Sequence, residues 1–471
     1  MLELYLLRHA KAKRGGSELP DAERPLSQRG RRPGQAVAMA PALMRWGAFE
    51  GEVVSSPARR TRETLEAMAA ALPEGTLGSV ARFGEALYTF DGEALRDWLQ
   101  TLPEGNRRVL VVGHNPVLLE LARWLSPVAP DSLPTGGLLH LSLPGETWQA
   151  LARHTAERLA CLTPEQASHA LFQRRAPAPP ELRKADLAGR LQGQLGHLYR
   201  LVRALEPGVM AGIDPEFLHQ YRVNLRRSRA IGEAVLATVR QAGNGKAPGL
   251  KKRLKALKQR AQATSDLRDL DVFLESLAQA PPPLQASTRR ALHAWLNERA
   301  REQHERLCRQ LGQPDYAADM QAWQAFLDGD GFRQALARLS AARVAAVLDE
   351  RIAGHDSDLA ALTPDAPDEA FHDLRKAVKR IRYLAELDPK RHRRFLKGLK
   401  QRQTLLGEFQ DLCTRQAWIV AFFASAPSLA SDGALEGERS AWREGLAKEK
   451  LALRTQIMAL APLCESGPAA R

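Results

Sequence analysis

An α/β N-terminal domain joined to an all-α C-terminal domain of two pseudo-symmetric helical halves is the fold class this sequence predicts, on three observations. The first 150 residues alternate short apolar runs with helical stretches. From about residue 190 onward the apolar period is helical almost to the end. Inside that helical part the pattern H-x-x-R-x-x-x-[R/K]-R-x-R occurs twice, as His219, Arg222, Arg226, Arg227, Arg229 and as His372, Arg375, Lys379, Arg380, Arg382. A motif that returns with its surroundings marks an internal duplication. At 471 residues the chain exceeds one ordinary core, and two or three domains are expected.

Taken in order, Leu2–Leu7, Glu52–Val54, Arg108–Val112 and Leu138–Leu143 read as strands, while Gly34–Met44, Arg60–Leu72, Gly92–Leu102 and Val117–Leu125 read as helices. That alternation gives residues 1–150 a sheet with helices on both faces. Residues 151–189, with Ala176-Pro177-Ala178-Pro179-Pro180, read as a linker. In the helical domain, residues 190–465, the clusters at Gly243-Asn244-Gly245, Pro281-Pro282-Pro283 and Pro364–Pro367 separate one helix from the next.

Charge divides the chain the same way. Residues 1–150 hold 17 Lys+Arg and 17 Asp+Glu, so the whole net charge of +14 lies beyond them. Cys161, Cys308, Cys413 and Cys464 have neither zinc-site nor disulfide-framework spacing, and they read as reduced thiols. Met1-Leu2-Glu3-Leu4-Tyr5-Leu6-Leu7 has no basic n-region or cleavage-like site, and no apolar run reaches about 18 residues. A cytoplasmic protein with no membrane partner is expected.

The duplicated rows carry a physical cost. At about 100° per residue, His219, Arg222, Arg226 and Arg229 share an arc of roughly 80°, as do their counterparts from His372 to Arg382. A second basic segment follows each row: Lys251, Lys252, Lys255 and Lys258 in the first copy, Arg393, Lys397 and Lys400 in the second, with Lys376 beside the second row. Like charges at i,i+3 and i,i+4 repel, so four such rows cost stability unless an anion neutralises them. Phe371, Leu374, Val378 and Ile381, like Phe217, Tyr221 and Leu225, occupy the neighbouring arc, which sets the cations at the edge of the packed face. Rows from two packed halves then converge on a basic groove suited to a long polyanion.

In the N-terminal part, chemistry collects at three predicted strand ends. Arg8-His9 follows the first strand, Gly113-His114-Asn115-Pro116 follows Val109–Val112, and Ser55-Ser56-Pro57 runs into Arg59-Arg60-Thr61 at a helix start. Together with Leu6-Leu7-Arg8-His9-Ala10, Arg24-Pro25-Leu26-Ser27 and Pro134-Thr135-Gly136, this set resembles the histidine phosphatase superfamily, and its short R-H-A form resembles the SixA-type phosphohistidine phosphatases. The resemblance implies that His9 takes the phosphoryl group and that Arg8, Arg60 and His114 hold its oxygens, with no metal and no cofactor. For the general acid of the family's larger members the nearest counterpart is Glu85, with Asp21 and Glu23 as weaker alternatives read as loop and capping residues. Phosphorylated protein or a small phosphate ester is the implied substrate.

The helical part resembles the CHAD domain through His219–Val223, Arg226–Arg229, Leu267–Val272, His372–Tyr383 and Leu405-Leu406-Gly407 with Gln410-Asp411. The resemblance names inorganic polyphosphate as the groove's ligand, and polyphosphate granules as a place to find the protein. Asp269 and Asp411 read as carboxylates that orient arginines or cap helices. Two other readings stand beside this one: a non-catalytic polyphosphate-binding protein, and a nucleic-acid-associated basic protein. Single-strand binders add aromatic stacking platforms, and a chain with 6% aromatic residues offers few.

Overall fold

Strand β1 (Leu2–Arg8) runs through the middle of a six-stranded sheet because both of its faces are apolar. The other strands are β2 (Glu52–Ser55), β3 (Ala81–Phe83), β4 (Arg108–Gly113), β5 (Leu138–Leu143) and β6 (Glu157–Leu162), in the order β3-β2-β4-β1-β5-β6. β1, β2, β3 and β4 are parallel, while on the far side of β1 the strand β5 pairs antiparallel to β1 and β6 pairs antiparallel to β5. The computed structural model describes residues 1–14, 19–31, 34–77, 81–182, 185–241, 247–389, 391–425 and 433–466. It divides into one unit of Met1–Ala176 with Pro207–Phe217 and another of Pro177–Glu206 with Leu218–Arg471.

The period of two along the strands builds two cores. Leu2, Leu4, Leu6, Val109 and Val111 point to one face and pack with Leu118, Leu121 and Leu125. Tyr5, Leu7, Leu110 and Val112 point to the other and pack with Met39, Leu43, Leu65 and Met68. The covering helices are α1 (Gln28–Arg31), α2 (Gln35–Arg45), α3 (Arg59–Ala69), α4 (Gly92–Gln100) and α5 (Val117–Leu125). Because β1, β2 and β4 are parallel and adjacent, their C-terminal ends lie side by side, which brings Arg8, Ser55 and Gly113 to one edge.

The stretch read as linker is more structured than its composition indicates. It contains β6, then α6 (Pro164–Ala167) and α7 (His169–Phe172). α6 opens with a full capping box in which Thr163 and Gln166 exchange side-chain and backbone bonds. β6 is an edge strand exposed at Glu157, Arg158 and Leu159, which leaves no alternating apolar pattern to read.

The second unit is helical, as its period predicts. Its elements are α8 (Leu187–Ala211), α9 (Glu216–Gln241), α10 (Leu250–Gln262), α11 (Ser265–Gln279), α12 (Ala286–Leu311), α13 (Pro314–Asp328), α14 (Asp330–Ala337), α15 (Ala341–Ala360), α16 (Asp368–Ala385), α17 (Arg393–Ser425) and α18 (Gly433–Met458). The prolines at 281–283 and 364–367 fall between helices, and Gly243-Asn244-Gly245 lies outside the described residues. The duplication is visible in α9–α11 against α16–α17. The first copy breaks at Ala263-Thr264 into two helices where the second continues as one. Arg222 is seated at the break: its Nη1, with two hydrogens, lies within hydrogen-bond reach of Ala261 O (3.0 Å), Thr264 Oγ1 (3.1 Å) and Ser265 Oγ (2.8 Å). Among the described residues no helix is long and apolar enough to cross a membrane.

Candidate active site and basic cleft

His9 is buried just beyond the end of β1, tied to the neighbouring strand by its N–H to Gly113 O at 3.0 Å. Its Nδ1 lies 2.7 Å from the carbonyl oxygen of Ala10. A carbonyl only accepts, so Nδ1 carries the proton and Nε2 keeps its lone pair. Burial drives the imidazole pKa down and the Ala10 bond opposes it, while the charges of Arg60, Arg8 and Arg24 lower it further, to about 4. His9 is therefore neutral at neutral pH. The backbone behind it is shaped by Gly136, whose N–H donates to Arg8 O and His9 O at φ +73°. A β-carbon there would come within 2.8 Å of Gln35, so only glycine fits.

His114 follows β4 and packs its ring 5.3 Å from that of His9, centre to centre. Arg60, buried in the first turn of α3, donates from Nε to His114 Nδ1 at 3.1 Å. The opposite nitrogen, Nε2, then bears the proton and donates to Ser56 Oγ at 2.8 Å. Both nitrogens of His114 are thus engaged, and its ring fixes the Arg60 guanidinium. Burial, with Arg60 and His9 beside it, pushes the His114 pKa down to about 3.

Arg60 is held from its other side by Asp21, through Nη1 to the backbone oxygen (2.5 Å) and Nη2 to Oδ2 (2.9 Å). Five N–H groups less these three bonds leave one donor on each Nη. Desolvation pushes the Asp21 carboxyl up, but bonds from Arg24, Tyr88 and Arg60 and the Arg60 charge outweigh it and hold its pKa at about 2. Arg8 donates from Nη1 to Leu133 O at 2.8 Å, and its buried Nε has no hydrogen-bond partner among the described residues.

These groups surround a cavity of about 410 Å³. Arg8, Lys11, Arg14, Arg24 and Arg60 line it with Asp21 as the only carboxylate among the described residues, and His9, His114, Asn115 and Phe90 stand in the wall. Five cations against one anion make a site for a phosphoryl group. Glu85 opens a short 3-10 turn, is exposed, and does not line this cavity. Arg59 turns outward to Glu63 at 2.9 Å.

In the helical unit the rows of the two halves meet. Lys379 of α16 is half-buried, and after desolvation the charges that act on it are Arg226 and Arg222 of α9 and Arg375 of its own helix, opposed by Asp411 of α17. Together they hold its ammonium pKa down at about 6. Burial and Arg226 likewise lower Arg222, to about 10, and Arg375. Desolvation pushes up Asp269 and Asp411, although Arg222 and Arg375 pull them back. Four basic side chains from two halves, with two carboxylates among them, form one electrostatic cluster.

Residues 193–420 match the family model of the CHAD domain, and residues 4–90 match that of the histidine phosphatase superfamily, branch 1. The chain is thus similar to the histidine phosphatase superfamily in its first part and to the CHAD domain in its helical part. Among solved structures, the phosphohistidine phosphatase SixA from Nakamurella multipartitia is 29% identical over 35% of this chain and 96% of its own, with a TM-score of 0.28. SixA from Agrobacterium tumefaciens is 22% identical over 34% and 97%, at 0.29. The CHAD domain from the plant Ricinus communis is 23% identical over 61% and 96%, at 0.48. No curated protein matches the chain.

Within the helical unit the structure sorts the basic residues into two kinds. Arg222, Arg226, Arg375 and Lys379 are the half-buried cations of the cleft, and His219 and His372 head their rows. The His372 imidazole is bonded through Nδ1 to Gln410 Oε1. Arg229 pairs with Glu233 at 3.2 Å and Arg382 with Glu386 at 2.8 Å, so the far end of each row is internally neutralised. Lys251, Lys252, Lys255, Lys258, Arg393, Lys397 and Lys400 stand exposed on α10 and α17, as do Arg227 and Arg380, while exposed Lys376 pairs with Asp373 at 2.8 Å. The residues that sequence reasoning passed over are Lys11, Arg14 and the inward role of Asp21.

Proposed function

We propose that the protein is a metal-independent phosphatase that passes a phosphoryl group through His9, and that the helices of residues 190–465 hold inorganic polyphosphate in the cleft around Lys379. The observation that carries the first half is the His9 imidazole: Nδ1 is committed to Ala10 O, and Nε2 is left unprotonated in a wall that also carries five cations. Nε2 attacks phosphorus, the bond to the leaving group breaks with its electron pair going to that group, and Arg8 and Arg60 meet the charge on the phosphoryl oxygens. Water then attacks phosphorus, inorganic phosphate departs, and the Nε2 lone pair is restored. The arginines supply the counter-charge that a metal supplies elsewhere.

The same geometry bears on the substrate. Asp21, held at about 2, has no proton to give at neutral pH, and Glu85 stands outside the cavity. A positioned general acid is worth about 10²–10⁴-fold, so substrates whose leaving group departs without one are favoured. With chelator present, phosphohistidine and aryl or acyl phosphates are expected to turn over at least about 10²-fold faster than alkyl phosphates such as glycerol phosphate. Equal rates for alkyl phosphates, or a need for added divalent metal, overturn this reading. Because the His9 pKa is lowered from 6.5 to about 4, the nucleophile stays neutral well into acid. kcat/KM should hold from pH 8 to about 5 and fall as pH drops through about 4; a decline centred near 6.5 contradicts a buried nucleophile.

For the cleft, the support is the convergence of both rows on Lys379. Burial first and the neighbouring arginines second lower the Lys379 pKa, and a bound polyanion supplies the counter-charge that raises it again, so Lys379 takes up a proton on binding at pH above 6. Affinity for long-chain polyphosphate should therefore weaken as pH rises above 6. Titration calorimetry at pH 7.5 in buffers of different ionisation enthalpy should register this uptake, and Lys379→Arg should reduce it while preserving binding. Uptake unchanged in Lys379→Arg places the titrating group elsewhere.

A further inference from the structure

A second pocket in the helical unit has a different character from the cleft. It has a volume of about 290 Å³ and lies between the C-terminal half of α9, α15 and the C-terminal half of α16. Its floor is apolar, formed by the buried side chains of Ala230, Ala234 and Leu384 with Leu236 beside them. Around the rim stand Arg240 from α9, Arg351 from α15 and Arg380 from α16, and the ring of Tyr383 forms part of the wall. Arg380 follows Lys379 by one residue, about 100° around the helix, which sets it outside the arc of His372, Arg375, Lys379 and Arg382. The single carboxylate, Glu233, is already paired with Arg229 at 3.2 Å.

None of the three rim arginines makes a hydrogen bond or ion pair among the described residues. Three guanidiniums without a hydrogen bond or ion pair among the described residues, Arg380 acting only through its charge on Asp373, converge on one apolar floor and ask for a ligand with two parts. A phosphate chain would satisfy the arginines and leave the alanine and leucine floor uncovered. A fatty acid would cover the floor and neutralise one guanidinium of three. A flat heteroaromatic ring carrying two or three phosphates answers both demands, because guanidinium planes and a tyrosine ring stack on bases while the same guanidiniums fork onto phosphate oxygens. The volume is close to the lower end of small-molecule sites, of about 300 Å³, so it admits one such unit and not a strand.

We propose that this pocket binds a nucleoside di- or triphosphate, with its base over Ala234 and Leu384 and its phosphates on Arg240, Arg351 and Arg380. This site is distinct in composition from the cleft around Lys379 and does not rest on the polyphosphate reading. The full-length chain carrying His9→Ala, which prevents consumption of the probe, is titrated calorimetrically with ATP, adenosine and inorganic tripolyphosphate at fixed ionic strength. ATP should bind at least tenfold tighter than either of its parts. Arg240→Gln with Arg351→Gln should weaken ATP at least tenfold and change the affinity for long-chain polyphosphate less than twofold. Arg240→Gln alone, at an exposed position, gives a partial loss of at least threefold and covers the case of a double variant that does not fold. ATP binding no tighter than tripolyphosphate shows that only phosphate charge is sensed and overturns the proposal. So does ATP binding that all these variants leave unchanged.

Discussion

His9→Ala abolishes phosphoryl turnover, with kcat falling by about 10⁴-fold or more, the scale of loss when a nucleophile is removed from a site that keeps its charge-stabilising groups. The expectation is this large because, among the described residues, neither His114 nor Asp21 is free to take its place. His114 has both ring nitrogens engaged, by Arg60 and Ser56, and Asp21 is spent on Arg60, Arg24 and Tyr88. The cavity and its five cations survive the change, so phosphate analogues should still bind with affinity altered by less than about tenfold. Rapid quench with ³²P-labelled substrate separates the two effects: wild-type chain accumulates acid-labile label on protein, and His9→Ala accumulates none. Label that persists in the variant moves the covalent step to another residue, and turnover that persists removes the proposed mechanism.

How much of this was legible in the sequence depends on how far apart the partners lie. The strands β1, β2, β4 and β5 were readable because each is buried and apolar, and the residues just beyond them were therefore readable as a site. β3 and β6 were not. β3 has three residues, two of them exposed, and β6 presents charged residues at a sheet edge, so neither carries a two-residue period. α2 was readable in spite of Pro41, since the proline sits on a helix whose Ala36, Met39, Ala40 and Leu43 bury one face. The carboxylate at the site was misplaced for a different reason. Glu85 was the nearest in sequence context, but Asp21 reaches Arg60 across 39 residues by tertiary hydrogen bonds that no local pattern announces.

The basic rows show the same limit from the other side. Their repetition predicted a meeting of two halves, and Arg222, Arg226, Arg375 and Lys379 do act on one another. Charge and spacing alone could not separate that inner set from the equally regular Lys251, Lys255 and Lys258, which stand exposed on α10. Nor could they show that Arg229 and Arg382 each carry their own glutamate one turn further on. What distinguishes the inner cations is desolvation without full neutralisation, a property of packing that only the folded arrangement displays.

That distinction fixes the second large effect. Replacing Arg222, Arg226, Arg375 and Lys379 together by alanine should weaken polyphosphate binding by about 10³-fold, since four partly desolvated contacts at roughly 1 kcal/mol each make about 4 kcal/mol. Replacing the exposed Lys251, Lys255, Lys258 and Lys397 removes the same charge and should cost far less, because exposed pairs are worth about 0–1 kcal/mol and are screened by salt. Salt dependence gives an independent reading. Each lost phosphate contact forfeits somewhat less than one released counterion, so the slope of log affinity against log salt should become shallower by about 3 in the cleft variant. The fold should tolerate the change, since the three arginines repel one another and lower the pKa of Lys379 in the free protein; Arg222 also bonds at the α10–α11 break, so circular dichroism accompanies the titrations. Competition with DNA of equal charge tests the guest. Wild-type chain should prefer polyphosphate, whose charges are closely spaced and which needs no stacking platform. DNA that displaces it at equal charge concentration, or equal losses in the cleft and surface variants, would show that net charge alone holds the polyanion and that the cleft does not select it.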